Sequence, residues 1–510
     1  MSKTSLDTAL PLLEAYDHHR EDQNGEGRCW WIKLLDVKEG KDQVLFSLPM
    51  ILTNAFYYLI TLVSVMFAGH LGPLELAGAT LGNSWCTVTG IAFMAGLSGA
   101  LETLCGQGFG AKLYRTLGIH LQASCIISFL CSIIISIIWL YTEPLLIFLR
   151  QDPQISKAAA LYLKYLIPGI FAFGFLQNIL RFLQTQSVVM PLILLSGIPL
   201  CIHIGTAYVL VHKTDLGFRG ASLAVSISLW ISTLVLVIYV IYSKKFKHTW
   251  EGFSSESLRH IPINLKLALP SAAMFGVLGI RALGAPSRND AKRRTNYICD
   301  CIVCQHRGHC LHVYLRSKRY CEIMKLRISV DSTRVSNELG AGNPDKAKQA
   351  MAMTLKLSVL LALLIVLALA TGHDIWAGFF TDDLSVIKAF ASMTPFLAIS
   401  IALDAFQVVF TGVTRGCGWQ NLAVIVNVAT FFCIGMPVAT LLGFKFKLYS
   451  KGLWIGLICG LACQTCTLLL ITLRTKWTRM DHLSEPEENG YSPTLSKAKD
   501  HSSSWYCRAS

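Results

Sequence analysis

The chain has 510 residues, of which 53% are hydrophobic and only 15% are charged, with a mean hydropathy of +0.49. A soluble domain usually carries about 25% charged residues, so this composition excludes an ordinary soluble protein and indicates one that spans a lipid bilayer. The formal net charge of +14 is typical of basic cytoplasmic loops in a membrane protein, and it does not by itself indicate nucleic-acid binding.

The 17 cysteines do not form the pattern of a disulfide-rich scaffold. Most of them stand singly inside apolar runs, as Cys125 and Cys433 do, so we interpret them as small buried thiols. Residues 1–40 are polar and mixed in charge, and we expect them to form a cytoplasmic tail.

Apolar segments long enough to cross a bilayer recur along the chain. A helix rises about 1.5 Å per residue, so about 20 apolar residues cross a hydrocarbon layer about 30 Å thick. A further span is expected between residues 283 and 331, which would give an all-α protein with twelve transmembrane helices. The predicted spans are residues 44–68, 77–100, 117–141, 156–180, 189–211, 219–242, 262–282, 350–371, 385–410, 420–442 and 452–473.

The distribution of Lys and Arg predicts the orientation of these spans. The most basic loop contains Lys244, Lys245 and Lys247, so we place it in the cytoplasm. The resulting domain plan has a first lobe at 41–243, a cytoplasmic inter-lobe loop at 244–261, a second lobe at 262–475 and a disordered cytoplasmic tail at 476–510.

An internal repeat supports two six-helix halves. The string CGQGFGA at 105–111 aligns with VSNELGA at 335–341, an offset of 335 − 105 = 230 residues. At the same offset Gln177 aligns with Gln407. Parallel repeats of this kind build transporters whose halves rock around a central binding site.

Five longer strings carry a family resemblance: LPMILTN at 48–54, LETLCGQ at 101–107, QNILRFLQTQ at 177–186, STRVSNELGAGN at 332–343 and GVTRGCGWQ at 412–420. They resemble the multidrug and toxin extrusion (MATE) family of transporters, and the plant DETOXIFICATION-type branch in particular. The resemblance covers about residues 30–275 and 332–475. It implies two six-helix lobes around a cavity, no cofactor and usually a monomer. It also implies export of organic cations, alkaloids, flavonoids or xenobiotics in exchange for protons, with sodium as the less favoured coupling ion.

Residues 276–331 depart from this family pattern. Arg307, Arg316, Lys318 and Arg319 stand where the eighth span is expected, and each Arg costs about 2.5–3.5 kcal/mol at the centre of a membrane helix. The run Cys299–His312 contains zinc-ligating residue types but lacks two separated ligand pairs, so we predict no metal site there.

A shift of one base in the reading frame offers an explanation for this segment. Across Phe275–Arg316 the shifted frame permits an apolar translation that contains the string VNTEAIA and resembles the family's seventh and eighth helices. It also restores the acidic residues that the family site usually has in those helices. We interpret 276–331 as the product of mis-splicing or of a faulty gene model, with 317–331 as residual intron. The alternative is that the chain is a non-functional product of a transporter gene.

Asp404 is the foremost candidate for proton coupling. It lies in a predicted span between Leu403 and Phe406, and ionisable groups inside a membrane usually serve function because they are costly to place there. A carboxylate at such a site can exchange a proton for a cationic substrate, and the resemblance implies the same role. The alternative is a structural carboxylate that is bonded to neighbouring hydroxyl groups.

Five uncharged residues are candidates for substrate binding. The amides of Asn54, Gln177 and Gln407 either line a cavity or bond one helix to another, because buried amides need hydrogen-bond partners. Tyr57 and Trp85 offer aromatic faces for cation–π contact, with ordinary packing as the alternative.

Four further residues are predicted to have structural or gating roles. Glu102 and Gln107 lie near the cytoplasmic end of the second span, and we favour a structural role for Glu102. Arg334 and Glu338 lie in a cytoplasmic turn, where we expect a gate or cap.

Other classes of membrane protein have less support. A membrane-embedded enzyme or a lipid flippase remains as an alternative, but the chain has no Walker-type phosphate loop, HExxH motif or nucleophile elbow. We expect a multi-pass protein of the vacuolar or plasma membrane, and an imperfect acidic-dileucine-like element at Asp7–Leu13 weakly favours the vacuole.

Overall fold

The computed structural model of the chain describes residues 37–149, 151–283, 332–378, 384–446 and 448–474. Across these ranges the ordered elements are helices, as the sequence predicts for an all-α membrane protein. The predicted C-terminal tail, nearly all of the N-terminal tail, the Cys299–His312 run and most of the divergent segment lie outside the described residues.

The helices are numbered here in chain order. They are α1 Val37–Gly69, α2 Pro73–Gly110, α3 Tyr114–Leu140, α4 Thr142–Phe148, α5 Pro153–Thr185, α6 Met190–His212, α7 Phe218–Tyr242, α8 Ser257–Leu283, α9 Pro344–Gly378, α10 Leu384–Gly416, α11 Gln420–Lys445 and α12 Tyr449–Arg474. Residues 332–340 are also helical.

Ten of the eleven predicted membrane spans are confirmed, because ten helices in the described part of the chain are long and apolar enough to cross a bilayer. Helix α8 covers the predicted span 262–282 but is not one of these ten. The predicted eighth span lies outside the described ranges. Large apolar side chains on the outer helices are exposed, as contact with lipid tails requires; they include Ile134, Leu194, Ile238, Leu363 and Leu473.

The first half of the chain packs around α5, which contacts α2, α3 and α7. Small residues let the backbones of α2 and α5 approach closely, because a Cβ at Gly78 or Gly82 would press on residues of α5. The core of this half contains Met94, Trp139 and Tyr162, each about 1% exposed. This packing fixes the helix faces that surround an internal cavity.

The second half packs through α10 and α12, with α9 against α10 and α11 against α12. In α11 and α12 the glycines Gly435 and Gly460 lie against each other, and Gln464 donates a hydrogen bond to Asn427. Contacts also join the two halves, because α8 crosses α2 where Gly96 lies against the backbone of Ala272. The described residues from Ser47 onward form one compact unit.

Candidate functional site

A cavity of about 1150 Å³, part of which opens to solvent, lies among helices of the first half of the chain. Its walls come mainly from α1, α2, α5 and α7. Residues Thr87–Ile91 form a π-helical segment within α2, and both Thr87 and Ile91 reach the cavity wall. Such segments occur often at functional sites because the wider turn redirects the side chains.

The cavity wall is aromatic and amide-rich. Tyr57, Tyr58 and Phe173 supply rings, while Asn83 and Gln177 supply amides. Asn54 also lines the cavity, and its amide nitrogen donates to the carbonyl of Met50 at 2.9 Å within its own helix. Such a mixture of apolar rings and a few polar groups is typical of a small-molecule binding pocket.

One end of the helix bundle joins the two halves. The connections at 111–113, 186–189, 243–256, 341–343 and 417–419 meet at this end, which we call the closed end. The contacts that hold it together form what we call the junction, namely Glu102, Gln107, Arg181, Ser336 and Arg415 with their immediate neighbours.

The repeated strings contact each other at the junction. A Cβ at Gly106 would overlap Ser336, its repeat equivalent (106 + 230 = 336). A Cβ at Gly110 would overlap the carbonyl of Asn337, and a Cβ at Gly340 would overlap that of Gln107. The contacts are reciprocal, because Gly110 and Gly340 are repeat equivalents, as are Gln107 and Asn337. The repeat therefore builds a closely packed, nearly symmetric contact between the halves.

A buried ion pair lies at the centre of the junction. Arg415 Nη2 donates to Glu102 Oε2 at 2.8 Å, and both side chains are fully buried. Thr333 donates to the other carboxylate oxygen at 3.3 Å, and Arg181 Nε lies 3.9 Å from Glu102 Oε2. Buried charges need such additional hydrogen bonds, because the pair gives up its hydration.

Side chains of α2 and α11 complete the junction around the end of α10. Gln107 Nε2 donates to the carbonyl of Gly416 at 3.1 Å, and Thr103 Oγ1 donates to that of Arg415 at 2.8 Å. Gln420 in turn donates to Thr103 at 2.9 Å. Because the last carbonyls of a helix lack partners within it, these bonds satisfy the end of α10 and fix it to α2.

The structure brings three of the predicted binding residues together, because Asn54, Tyr57 and Gln177 all line the cavity. Trp85 is not among the described residues of the wall; it packs against the core of the first half. Asp404 and Gln407 lie one turn apart on α10, outside this cavity, with Asp404 half-buried and Gln407 about 5% exposed.

The four predicted structural or gating residues all lie near the closed end. Glu102 and Gln107 belong to the junction. Arg334 is half-buried in the helical residues 332–340. Glu338 accepts a hydrogen bond from Asn343 Nδ2 at 3.4 Å, beside the connection to α9.

The sequence analysis did not single out Arg181 or Arg415 as candidate site residues. Both are ionisable residues near the end of a membrane helix, and that signal should have marked them as site candidates. Nothing in the sequence indicated that these arginines pair with Glu102. Arg415, for example, is 313 residues away from Glu102 along the chain.

The described residues contain no group of three or more His, Cys, Asp or Glu side chains that could hold a metal ion. At the closed end, burial raises the pKa of the Cys417 thiol. This cysteine is about 6% exposed in the connection between α10 and α11.

Membrane-crossing helices, an internal cavity and a polar junction between two repeat halves define a polytopic membrane transporter. A family model described as MatE matches residues 49–209 and 324–441. Protein DETOXIFICATION 18 of Arabidopsis thaliana is 54% identical over 468 residues, which cover 91% of this chain and 97% of that protein. Protein DETOXIFICATION 16 of the same plant is 39% identical over 467 residues, covering 89% of this chain and 93% of the relative.

A crystal structure of the eukaryotic MATE transporter AtDTX14 superposes with a TM-score of 0.80 at 31% identity, and the match covers 88% of this chain and 98% of that one. The chain therefore belongs to the multidrug and toxin extrusion (MATE) family. It is a multi-pass membrane protein with the family's twelve-helix fold, a multidrug and toxin efflux transporter rather than an enzyme, and it needs no prosthetic cofactor.

Proposed function

We propose that the chain exports small organic compounds in exchange for protons by alternating access. The observation that carries this proposal is the junction, which closes one end of the bundle next to a cavity within it. By the distribution of Lys and Arg, the closed end is the cytoplasmic one, since Lys112, Lys244 and Lys245 lie there. The halves would then separate at the junction when the transporter opens to the cytoplasm.

The chemistry of the junction suits a contact that must open and close. Its central contacts are small residues and hydrogen-bonded charges, as between Gly106 and Ser336 or Glu102 and Arg415. When the halves separate, water can hydrate the exposed charges, which offsets part of the ion pair that is lost. Large apolar side chains at this interface would gain no favourable hydration when they became exposed, so their separation would cost more.

Proton coupling is assigned in this proposal to Asp404 on α10. A half-buried carboxyl group in a membrane helix is costly when charged, so it has reason to take up and release a proton during the cycle. Gln407 lies one turn further along the same helix, and in this proposal it contacts the same substrate or proton path.

Reconstitution of the full chain into liposomes tests the coupling. Under an imposed pH gradient, the parent chain should concentrate an organic substrate, and Asp404→Asn should lose this concentration while still exchanging substrate across the membrane without a gradient. Asp215→Asn is the matched control, because Asp215 is exposed in the connection between α6 and α7. Transport that follows a sodium gradient and ignores the pH gradient would overturn proton coupling.

The finer cellular assignments are also part of this proposal. We place the protein in the vacuolar or plasma membrane as a monomer. A fluorescent fusion in plant cells tests the membrane, and the mass of the detergent-purified protein tests the oligomeric state.

The divergent segment 276–331 favours a second candidate, a non-functional product of a transporter gene. Sequencing the transcript across residues 270–335 separates the two. A main transcript that encodes VNTEAIA in frame and lacks 317–331 supports the complete antiporter. A transcript that matches the written chain, with no transport in the liposome assay, supports the second candidate.

A further inference from the structure

His203 is an ionisable residue in the interior of the first half that the proposed function leaves without a role. It lies within α6 and is fully buried, as are Ser64 on α1 and Ser228 on α7. Its Nε2 lies 3.1 Å from Ser64 Oγ, and its Nδ1 lies 2.8 Å from Ser228 Oγ. One imidazole ring therefore joins three helices, two of which also line the cavity.

The hydroxyl hydrogens of both serines are directed at backbone carbonyls. Ser64 Oγ donates to the carbonyl of Ala221 at 2.9 Å, which is a bond from α1 to α7. Ser228 Oγ donates to the carbonyl of Ala224 at 2.8 Å within α7. A carbonyl oxygen can only accept, and a hydroxyl group has a single hydrogen to donate. Each hydroxyl group therefore offers only lone pairs to the ring, so each ring nitrogen has to donate.

Two donating nitrogens define a protonated imidazole, because a neutral imidazole has one donor and one acceptor. All four contacts are satisfied together only when His203 carries the second proton. In the neutral form, one hydroxyl group has to leave its carbonyl and donate to the ring. The longer ring contact is the one to Ser64, so we expect Nε2 to lose the proton and Ser64 to turn from Ala221 to the ring.

The surroundings make this proton reversible. A buried charge loses its hydration, so burial opposes the proton that the two hydroxyl groups favour. The other ionisable residues on α1 from Ser47 onward are Tyr57 and Tyr58, which line the cavity. On α7, Tyr239 lies three turns beyond Ser228, and α5 packs on a different face of that helix. The remaining ionisable residues of α6 and α7 are exposed, namely Cys201, Tyr208, His212, Arg219 and Tyr242.

His203 and its partners lie toward the end of the bundle opposite the closed end. Ser64 is within two turns of the end of α1, and Ala221 is in the first turn of α7. In the proposed orientation this end faces away from the cytoplasm. An exporter driven by protons takes them up from that side.

We infer that His203 is a second proton-binding site, and that its proton decides whether the Ser64 hydroxyl group bonds to Ala221 or to the imidazole ring. Binding of the proton is a property of the folded chain, whereas its part in transport rests on the proposed antiport. In that cycle the proton comes from the compartment opposite the cytoplasm. Protonation then adds a direct bond between two helices that line the cavity, while Asp404 acts in the second half.

¹⁵N NMR of the full chain in lipid nanodiscs, labelled at histidine, tests proton binding without any ion gradient. The His203 signals are those that His203→Gln removes. We expect two protonated ring nitrogens at acid pH and one at alkaline pH, with a single step between about pH 4 and pH 8.

Ser64→Ala is the decisive variant, because it removes one acceptor of the protonated ring and keeps His203. The step should move to lower pH by about one unit, because a charge-assisted hydrogen bond is about twice as strong as a neutral one. Ser196→Ala is the matched control and should leave the step in place. Ser196 is a fully buried serine of α6 that bonds to the carbonyl of Ile193 in its own helix. If His203→Gln does not fold, the signals that move only in Ser64→Ala identify His203.

The same variants test the part in transport. In liposomes, the export rate should depend on pH at the side opposite the closed end, and the midpoint should move in Ser64→Ala as the NMR step does. His203→Gln should lack this step, and Ser196→Ala should behave as the parent chain does.

A His203 ring that stays neutral over this pH range, or a step that Ser64→Ala leaves in place, would overturn the inference. So would a transport midpoint that stays fixed in Ser64→Ala while the NMR step moves. Failure of the proposed antiport looks different. In that case liposomes would show no pH-driven transport with any variant, yet the NMR step and its shift would remain.

Discussion

The junction and the cavity are adjacent but are built from opposite kinds of residues. The junction contains glycines, hydroxyls and a buried ion pair, with Gly106 against Ser336 and Glu102 against Arg415. The cavity contains tyrosines, a phenylalanine and amides around open space. The two halves pack against each other at the junction without leaving space, whereas the cavity has enough space for a ligand. Arg181 is shared by both, because it lines the cavity and lies beside Glu102.

This difference suggests how one bundle can both hold a substrate and change shape. Under the proposed alternating access, the close contacts between small residues and between paired charges would be lost together when the halves separate. Aromatic contacts in a wide cavity tolerate ligands of several shapes. Variants of the junction should therefore change the balance between conformations, and variants of the cavity should change affinity.

The largest effect is expected from breaking the buried ion pair. Glu102→Gln or Arg415→Gln leaves a buried charge without its partner, which costs about 3–5 kcal/mol of stability. Melting of the purified protein in detergent measures the loss, and the double variant should lose less than the sum of the single variants. The control is Arg115→Gln, because Arg115 pairs with Glu256 at 3.2 Å on the surface, and such pairs contribute at most about 1 kcal/mol. Equal losses at both pairs would show that the junction is not held by this ion pair.

A smaller effect is expected from a single methyl group at the repeat contact. Gly340→Ala places a Cβ against the backbone of Gln107, which cannot move as a side chain can, and overpacking of this kind costs about 1–3 kcal/mol. The closed conformation should then lose roughly 5- to 150-fold in population relative to the open one, with a matching loss of transport in liposomes. Gly205→Ala on α6 is the control, because a Cβ there meets no atom within 4 Å. Full transport by Gly340→Ala would contradict the close contact.

The cavity should respond in affinity and not in stability. Gln177→Leu keeps the approximate size of the side chain but removes its amide, so we expect roughly 3- to 10-fold weaker binding of an oxygen-bearing aromatic ligand. Gln151→Leu makes the same change before α5, outside the cavity, and should leave binding unchanged. A lower melting temperature of Gln177→Leu, with unchanged affinity, would assign Gln177 a purely structural role.

The smallest effect is expected in the chemistry of Cys417. Burial raises the pKa of this thiol, so less of it is thiolate at a given pH, and alkylation should be slow near neutral pH and faster as the pH rises. Mass spectrometry of the alkylated Cys417 peptide gives the rate, with the same cysteine in the denatured protein as the reference. Gly340→Ala should speed the reaction of Cys417 if opening of the closed end exposes it. Equal rates in the folded and the denatured parent chain would contradict its burial.

Much of the fold could be predicted from the sequence, because the apolar segments and the bilayer thickness set the length of each span. The repeat at an offset of 230 residues also predicted that the strings beginning at 105 and 335 occupy equivalent positions in the two halves. It did not predict that these strings contact each other, because an alignment shows which residues are equivalent and says nothing about the distance between them in the fold. Among the site residues, the cavity positions of Asn54, Tyr57 and Gln177 agree with a lining role, whereas Trp85 turns toward the core.

The sequence by itself determined the membrane class, the helical spans, the two-half organisation and the family. These properties follow from the composition, the apolar segments and the long sequence motifs that resemble the family. Each of these features can be recognised without knowing which distant residues contact each other. Tertiary structure alone decided that Glu102 pairs with Arg415, that Arg181 faces the cavity and that glycines 110 and 340 carry the contact between the halves. The physical reason is that charge pairing and close packing depend on which surfaces meet, and residues more than 200 positions apart meet only when the helices have packed.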